Sequence, residues 1–90
     1  MDIKLHPDAQ IDLEKALIYY SNISNNLKND FINTLDMYFN KIVNFPTLYP
    51  FETKTSQKVV IDKFPYVIIY ERYKDIIMIL AIFHTKRKPK

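Results

Sequence analysis

The last third of the chain carries three runs of β-branched and aromatic residues, which fit a pleated and half-buried surface. The runs predict a meander of three strands over residues 58–63, 66–73 and 76–84. In the third run, from Ile76 to Phe83, both alternating sets of positions are apolar. A strand that is apolar on both faces is typical of the middle of a sheet, so we expect the third strand to lie centrally.

The first half of the chain begins with a polar–apolar alternation at Asp2–Leu5, which predicts a short edge strand. Helical spacing of apolar residues then predicts a helix over residues 7–22, with Pro7 in its first turn. A second helix is predicted to end near Phe45-Pro46, because the residue before proline is disfavoured in the α region. The joint between the helices has no glycine, so an Asn is expected to end the first helix in the left-handed conformation.

Together these elements predict a single α+β domain over residues 1–90, in the order strand, helix, helix, strand, strand, strand. The helical hairpin would pack on one face of a small, mainly antiparallel sheet. A two-residue loop at Lys74-Asp75 would set the register of the last two strands and place His84 on the same face as Val67. The predicted pairs are Val67 with Ile82, Ile69 with Leu80 and Glu71 with Met78.

One helical hairpin cannot cover both faces of such a sheet. An uncovered apolar face on a soluble protein usually marks a partner site. We therefore expect a partner chain, with a self-dimer or coverage by the loop at residues 46–57 as the alternatives.

The composition excludes several classes of site. Without glycine the chain has neither a phosphate-binding loop nor a dinucleotide fingerprint. It has no cysteine and its two histidines stand apart, so we expect no metal and no other cofactor. The start of the sequence is charged and has no apolar run, so we expect no secretory signal, and the longest apolar run, Ile76–Phe83, is too short to cross a membrane. We expect a soluble, cytoplasmic protein.

Positive charge is concentrated at the C-terminus, directly after the predicted central strand. The net charge is +3, and the cations of the tail are Lys86, Arg87, Lys88 and Lys90. This basic tail, residues 86–90, could contact an anion or a nucleic acid, or it could be a solvated terminus.

His84 precedes the basic tail, with Lys58 and Lys63 on a neighbouring predicted strand. Histidine transfers protons near neutral pH, and lysine or arginine can hold a phosphate and stabilise charge that develops on it. These are residue types that cleave RNA. The alternative is that His84 makes a structural hydrogen bond at the end of its strand.

Motifs along the whole chain are similar to those of one protein family. They are Ala9, Asp12 and Leu13 before Tyr19-Tyr20, the FPxxYP motif at Phe45 to Pro50, Lys58-Val59-Val60, the FPYVIIY run at Phe64 to Tyr70, and the HxxRxP motif from His84 to Pro89. In this pattern the chain resembles the RelE/ParE superfamily of toxins from bacterial type II toxin–antitoxin modules.

The resemblance implies a compact βααβββ fold and a cognate antitoxin that wraps the toxin in a hetero-oligomer. It also implies one of two targets. RelE-like members cut mRNA on the ribosome, whereas ParE-like members bind DNA gyrase and are not nucleases. Either activity would inhibit growth, and plasmid stabilization is the expected role of the module.

Carried over residue by residue, the family's sheet arginine falls on Lys58, and its terminal histidine and arginine fall on His84 and Arg87. These three would be catalytic in a RelE-like enzyme. The residues expected to bind nucleic acid or another target are Lys58, Lys63, Lys86, Arg87 and Lys88.

Two departures from the family pattern favour the ParE-like branch. Lysine at position 58 lacks the bidentate fork with which arginine grips a phosphate. The terminal tyrosine that is common in the RNA-cutting branch is also missing. We therefore expect gyrase binding, with a ribosome-dependent mRNA endonuclease or a non-toxic member that keeps antitoxin binding as the alternatives.

Overall fold

The computed structural model describes residues 2–86 and has the predicted order of elements. The elements are β1 (Asp2–Leu5), α1 (Pro7–Ser21), α2 (Asn25–Asn44), β2 (Ser56–Val60), β3 (Tyr66–Tyr73) and β4 (Ile76–His84). The predicted α+β class and the bounds of the last two strands are confirmed. β2 ends earlier than predicted because the chain turns after Ile61, whose N–H donates to the carbonyl of Tyr66 at 3.0 Å.

Side chains cap the first turn of each helix. Pro7 opens α1, and the Nδ1 atom of His6 accepts a hydrogen bond from the N–H of Asp8 at 3.0 Å. The hydroxyl oxygen of Ser24 accepts from the N–H of Leu27 at 3.0 Å and caps α2. Neither helix of the described chain is long and apolar enough to span a membrane.

The joint between the helices closes without a left-handed residue. Asn22 has a φ of −70°, and the N–H of Ser24 donates to the carbonyl of Tyr20 at 2.9 Å. The prediction that an Asn would take the left-handed conformation here is therefore wrong. Between residues 2 and 86 the one positive φ is that of Lys74, at 55°, in the turn between β3 and β4.

The four strands form one sheet in the order β1-β4-β3-β2. β1 runs parallel to β4, and the other neighbouring strands are antiparallel. β4 is therefore an interior strand and β1 an edge strand, as the sequence predicts.

A β-bulge in β4 divides the β3–β4 ladder into two registers. Glu71 pairs with Met78, as in the predicted register, but Ile69 pairs with Ala81 and not with Leu80. Leu80 is the extra residue of the bulge. Beyond it, each β4 side chain lies on the face opposite to the predicted one, because side chains alternate along a strand.

The bulge corrects the predicted pairing at the end of β4. Val67 pairs with Phe83, so its predicted pairing with Ile82 is wrong. His84 pairs with the buried Tyr66, so the prediction that it shares a face with Val67 is wrong as well.

Both helices pack on the same face of the sheet and bury one core there. The core residues include Ala9, Ala16 and Tyr20 of α1, Phe31, Leu35, Tyr38 and Ile42 of α2, and Val59, Ile68, Tyr70, Ile77, Ile79 and Ile82 of the strands. At one end of this core, the rings of Tyr20, Phe31, Phe64 and Tyr66 pack with centroids 5.0 to 6.2 Å apart. The opposite face of the sheet carries no helix.

Candidate functional site

The face of the sheet that carries no helix, called the outer face here, is built from alternate residues of the strands. Its apolar members are Val60, Val67, Ile69, Ile76, Met78, Leu80, Ala81 and Phe83. Val67 is buried, Val60 is exposed and the others are partly exposed. The prediction of an uncovered apolar face is confirmed, although the bulge changes which β4 residues form it.

Lysines border the apolar centre of the outer face. Lys4 in β1 pairs with Met78 and is exposed. Lys58 in β2 pairs with Ile69, and its Nζ atom lies 3.8 Å from Oε1 of Glu52. This ion pair is well exposed and adds little stability. Asp2 and Glu71 lie on the same face, paired with Ile76 and Met78. The surface therefore suits a partner that presents apolar side chains to its centre and acidic ones opposite Lys4 and Lys58.

His84 lies at the end of β4, on the side of the sheet that the helices cover. Its ring meets the ring of Tyr66 in a T-shaped arrangement, with centroids 5.2 Å apart. Its Nδ1 atom accepts a hydrogen bond from the backbone N–H of Lys86 at 3.0 Å. These contacts fit the alternative in which His84 makes a structural hydrogen bond at the end of its strand.

The structure does not bring Lys58 and His84 together. They lie on opposite faces of the sheet and on strands that β3 separates. The other predicted target-binding residues are Lys63, exposed in the turn after β2, Lys86, exposed after β4, and Arg87 and Lys88, which lie outside the described residues. No group of three or more His, Cys, Asp or Glu residues within 2–86 is arranged to hold a metal ion.

A pocket of about 380 Å³ beside the β3–β4 turn is a second candidate site, which sequence analysis missed. Its lining residues are Phe51, Lys54, Thr55, Gln57, Arg72 and Lys74. The lining holds three cations and no acid. The site cannot be found from the sequence alone, because only the fold brings the loop before β2 next to the end of β3. The available signal in the sequence is a pair of cations, Arg72 and Lys74, beside the predicted hairpin turn.

The buried amide of Gln57 organises the inner wall of this pocket. Its Nε2 atom donates to the carbonyls of Pro46 at 2.8 Å and Tyr49 at 2.9 Å. Its Oε1 atom accepts from Nε of Arg72 at 3.3 Å. The amide therefore fixes both the loop after α2 and the guanidinium group of Arg72.

Tyr70 holds the same loop through a second hydrogen bond to Pro46. Its hydroxyl donates to the carbonyl of Pro46 at 2.8 Å. Burial raises the pKa of Tyr70 to about 12, and the nearby charge of Arg72 opposes part of that rise. The phenol is therefore neutral at physiological pH and serves as a hydrogen-bond donor.

Comparison with known proteins places this fold in a family. The family described as ParE toxin of type II toxin–antitoxin system, parDE, matches residues 3–89. No curated protein matches the chain. A solved chain of the chromosomal ParDE TA system from P. aeruginosa has a similar fold, with a TM-score of 0.80 and 14% identity over 96% of this chain and 97% of that one. Because the family match spans nearly the whole sequence, the chain belongs to the ParE toxin family of type II toxin–antitoxin systems.

Proposed function

We propose that this chain inhibits bacterial growth by binding DNA gyrase in the cytoplasm, and that an antitoxin bound across the outer face neutralises it. Membership of the ParE toxin family supports a toxin that is paired with an antitoxin. The target, the growth inhibition and the position of the antitoxin are our inference.

The separation of Lys58 from His84 is the observation that favours binding over catalysis. General acid–base catalysis needs its proton-transferring group within hydrogen-bond reach of the reacting atoms. A phosphate held by Lys58 on the outer face would have the sheet between itself and the ring of His84. A toxin that acts by binding needs no such pair.

The outer face supports the position proposed for the antitoxin. Its centre is apolar and partly exposed, and Lys4 and Lys58 lie at its borders. An antitoxin segment with apolar residues at alternate positions and acidic residues at its margins would complement this surface in both respects. The segment would also bury side chains that water now contacts.

A RelE-like ribonuclease is the second candidate. The exposed position of Lys58 on a sheet face favours it, because a cation there can meet the phosphate backbone of RNA. In this alternative His84 would transfer the proton, and Lys86 and Arg87 would hold the phosphate.

Two assays with purified chain test the proposal. We expect the chain to inhibit supercoiling by DNA gyrase and to leave ribosome-bound mRNA intact, and we expect the antitoxin to restore supercoiling. Cleavage of the mRNA with unaffected supercoiling would establish the second candidate. A chain that binds its antitoxin but does not arrest growth would be the non-toxic family member.

A further inference from the structure

The pocket beside the β3–β4 turn concentrates positive charge that no lining acid offsets. Lys54, Arg72 and Lys74 all line it. Of the acidic residues near these cations in sequence, Glu71 accepts from the hydroxyl of Thr55 at 2.9 Å and Glu52 pairs with Lys58. Asp75, next to Lys74, is exposed and does not line the pocket. The lining itself therefore has a net positive charge that suits an anion, although the Glu71 carboxylate lies beside Thr55 at its margin.

Arg72 is oriented before any ligand arrives. Its Nε atom is committed to Gln57, and the amide of Gln57 is itself held by two backbone carbonyls. The two terminal nitrogens of Arg72 have no hydrogen-bond acceptor within residues 2–86. They form the fork that matches two oxygens of one phosphate group.

An aromatic ring completes the pocket. Phe51 lines the pocket and is 58% exposed. Its backbone forms an isolated β-bridge with Gln57. An exposed, planar, apolar surface next to cations provides what a nucleotide requires, namely a stacking platform for the base and positive charge for the phosphate.

We infer that this pocket binds a nucleotide, with the phosphate held by Arg72, Lys54 and Lys74 and the base stacked on Phe51. Three cations suit a phosphate dianion better than a carboxylate, which carries a single charge. The site is separate from the outer face, so the inference does not depend on the proposed target or on the position of the antitoxin.

An NMR titration of the full chain tests the inference with three probes: uridine monophosphate, inorganic phosphate and uridine. We expect the monophosphate to shift the amide signals of Thr55, Gln57 and Arg72 and to bind at least about fivefold more tightly than phosphate, because stacking adds about 1 kcal/mol or more. Uridine alone should not saturate the pocket. Absence of localised shifts would overturn the inference.

A matched pair of variants separates this pocket from general attraction of anions to a basic protein. Lys54→Gln with Lys74→Asn removes two pocket cations, and Asn tolerates the left-handed conformation at position 74. Lys15→Gln with Lys28→Asn removes the same charge from the helices. We expect the first pair to weaken nucleotide binding by about tenfold or more and the second by less than about twofold.

Equal weakening by both pairs of variants would refute a specific site. Phe51→Ala should weaken binding of the monophosphate and leave inorganic phosphate unchanged, and an equal effect on both would refute base stacking. If an acidic peptide shifts the same signals at a lower concentration than the nucleotide does, the ligand is a protein segment and the inference is wrong.

Discussion

The Oδ2 atom of Asp12 accepts a hydrogen bond from the backbone N–H of Ile82 at 3.0 Å, and this contact ties α1 to β4. β1 pairs with β4 only as far as the contact of Leu5 with Ile79. Just beyond that point lies the bulge at Leu80, after which the Asp12 side chain takes the place of a neighbouring strand. The aspartate of the family motif in the first helix thus has a structural role, because it satisfies a backbone donor at the bulge.

Removal of this carboxylate should destabilise the fold. Asp12→Ala leaves the N–H of Ile82 without its acceptor, so we expect the free energy of unfolding to fall by about 1–3 kcal/mol. Asp12→Asn keeps an acceptor oxygen and should recover part of the loss. Urea denaturation measures both, with Asp36→Ala on the exposed face of α2 as the control. Equal losses for Asp12→Ala and the control would contradict a special role for Asp12.

Stability at high pH should depend on Tyr70. Its pKa is about 12 in the folded chain, compared with an ordinary value of 10.0, so the unfolded chain releases this proton first. The contribution of Tyr70 is fully present below about pH 10 and is lost as pH rises to about 12, so the free energy of unfolding should fall across this range. Denaturation at a series of pH values should show a smaller fall for Tyr70→Phe. The exposed Tyr73 provides the control, because Tyr73→Phe should leave the pH dependence unchanged.

His84→Ala should leave the fold intact. The change removes the ring contact with Tyr66 and the acceptor for the N–H of Lys86, both at the end of a strand. We expect a cost of about 1 kcal/mol and an unchanged circular dichroism spectrum. Under the proposed function, growth inhibition should persist in this variant when it is expressed without antitoxin. Loss of growth inhibition in a folded variant would favour the ribonuclease candidate.

A charge on the outer face should release the antitoxin. Met78 is partly exposed there and Met37 is exposed on α2, so Met78→Glu and Met37→Glu make the same change on two surfaces. We expect Met78→Glu to weaken antitoxin binding by at least about tenfold, since it buries a charge in an apolar contact, and Met37→Glu to change it by less than about threefold. Calorimetric titration measures both affinities. The reverse order would place the antitoxin on the helices.

The periodicity of the sequence predicts the helices and strands of this fold, because a helix buries an apolar stripe and a strand buries an apolar face. α2 ends at Asn44, where the Phe45-Pro46 pair predicts it, because proline restricts the residue before it. The pattern on both faces of β4 correctly predicts an interior strand. The same pattern conceals the bulge, since Leu80 and its neighbours are all apolar and either register would place apolar side chains on both faces.

The positions of candidate site residues depend on contacts that the sequence does not encode locally. The bulge alone moves His84 to the side of the sheet opposite Lys58. The cationic pocket depends on where the loop after α2 lies, and that position is set by the long-range hydrogen bonds of Gln57 and Tyr70 to Pro46. Nothing in the run SQKVV marks its glutamine as the buried residue that holds this loop.

Gln57 uses both ends of one amide, with its nitrogen on the loop after α2 and its oxygen on Arg72. A shift of residues 46–49 should therefore displace the guanidinium group through these hydrogen bonds. A ligand that moves Arg72 should in turn displace the loop. The loop after α2 and the guanidinium group of Arg72 should consequently move together, although β2 and most of β3 separate them in the chain.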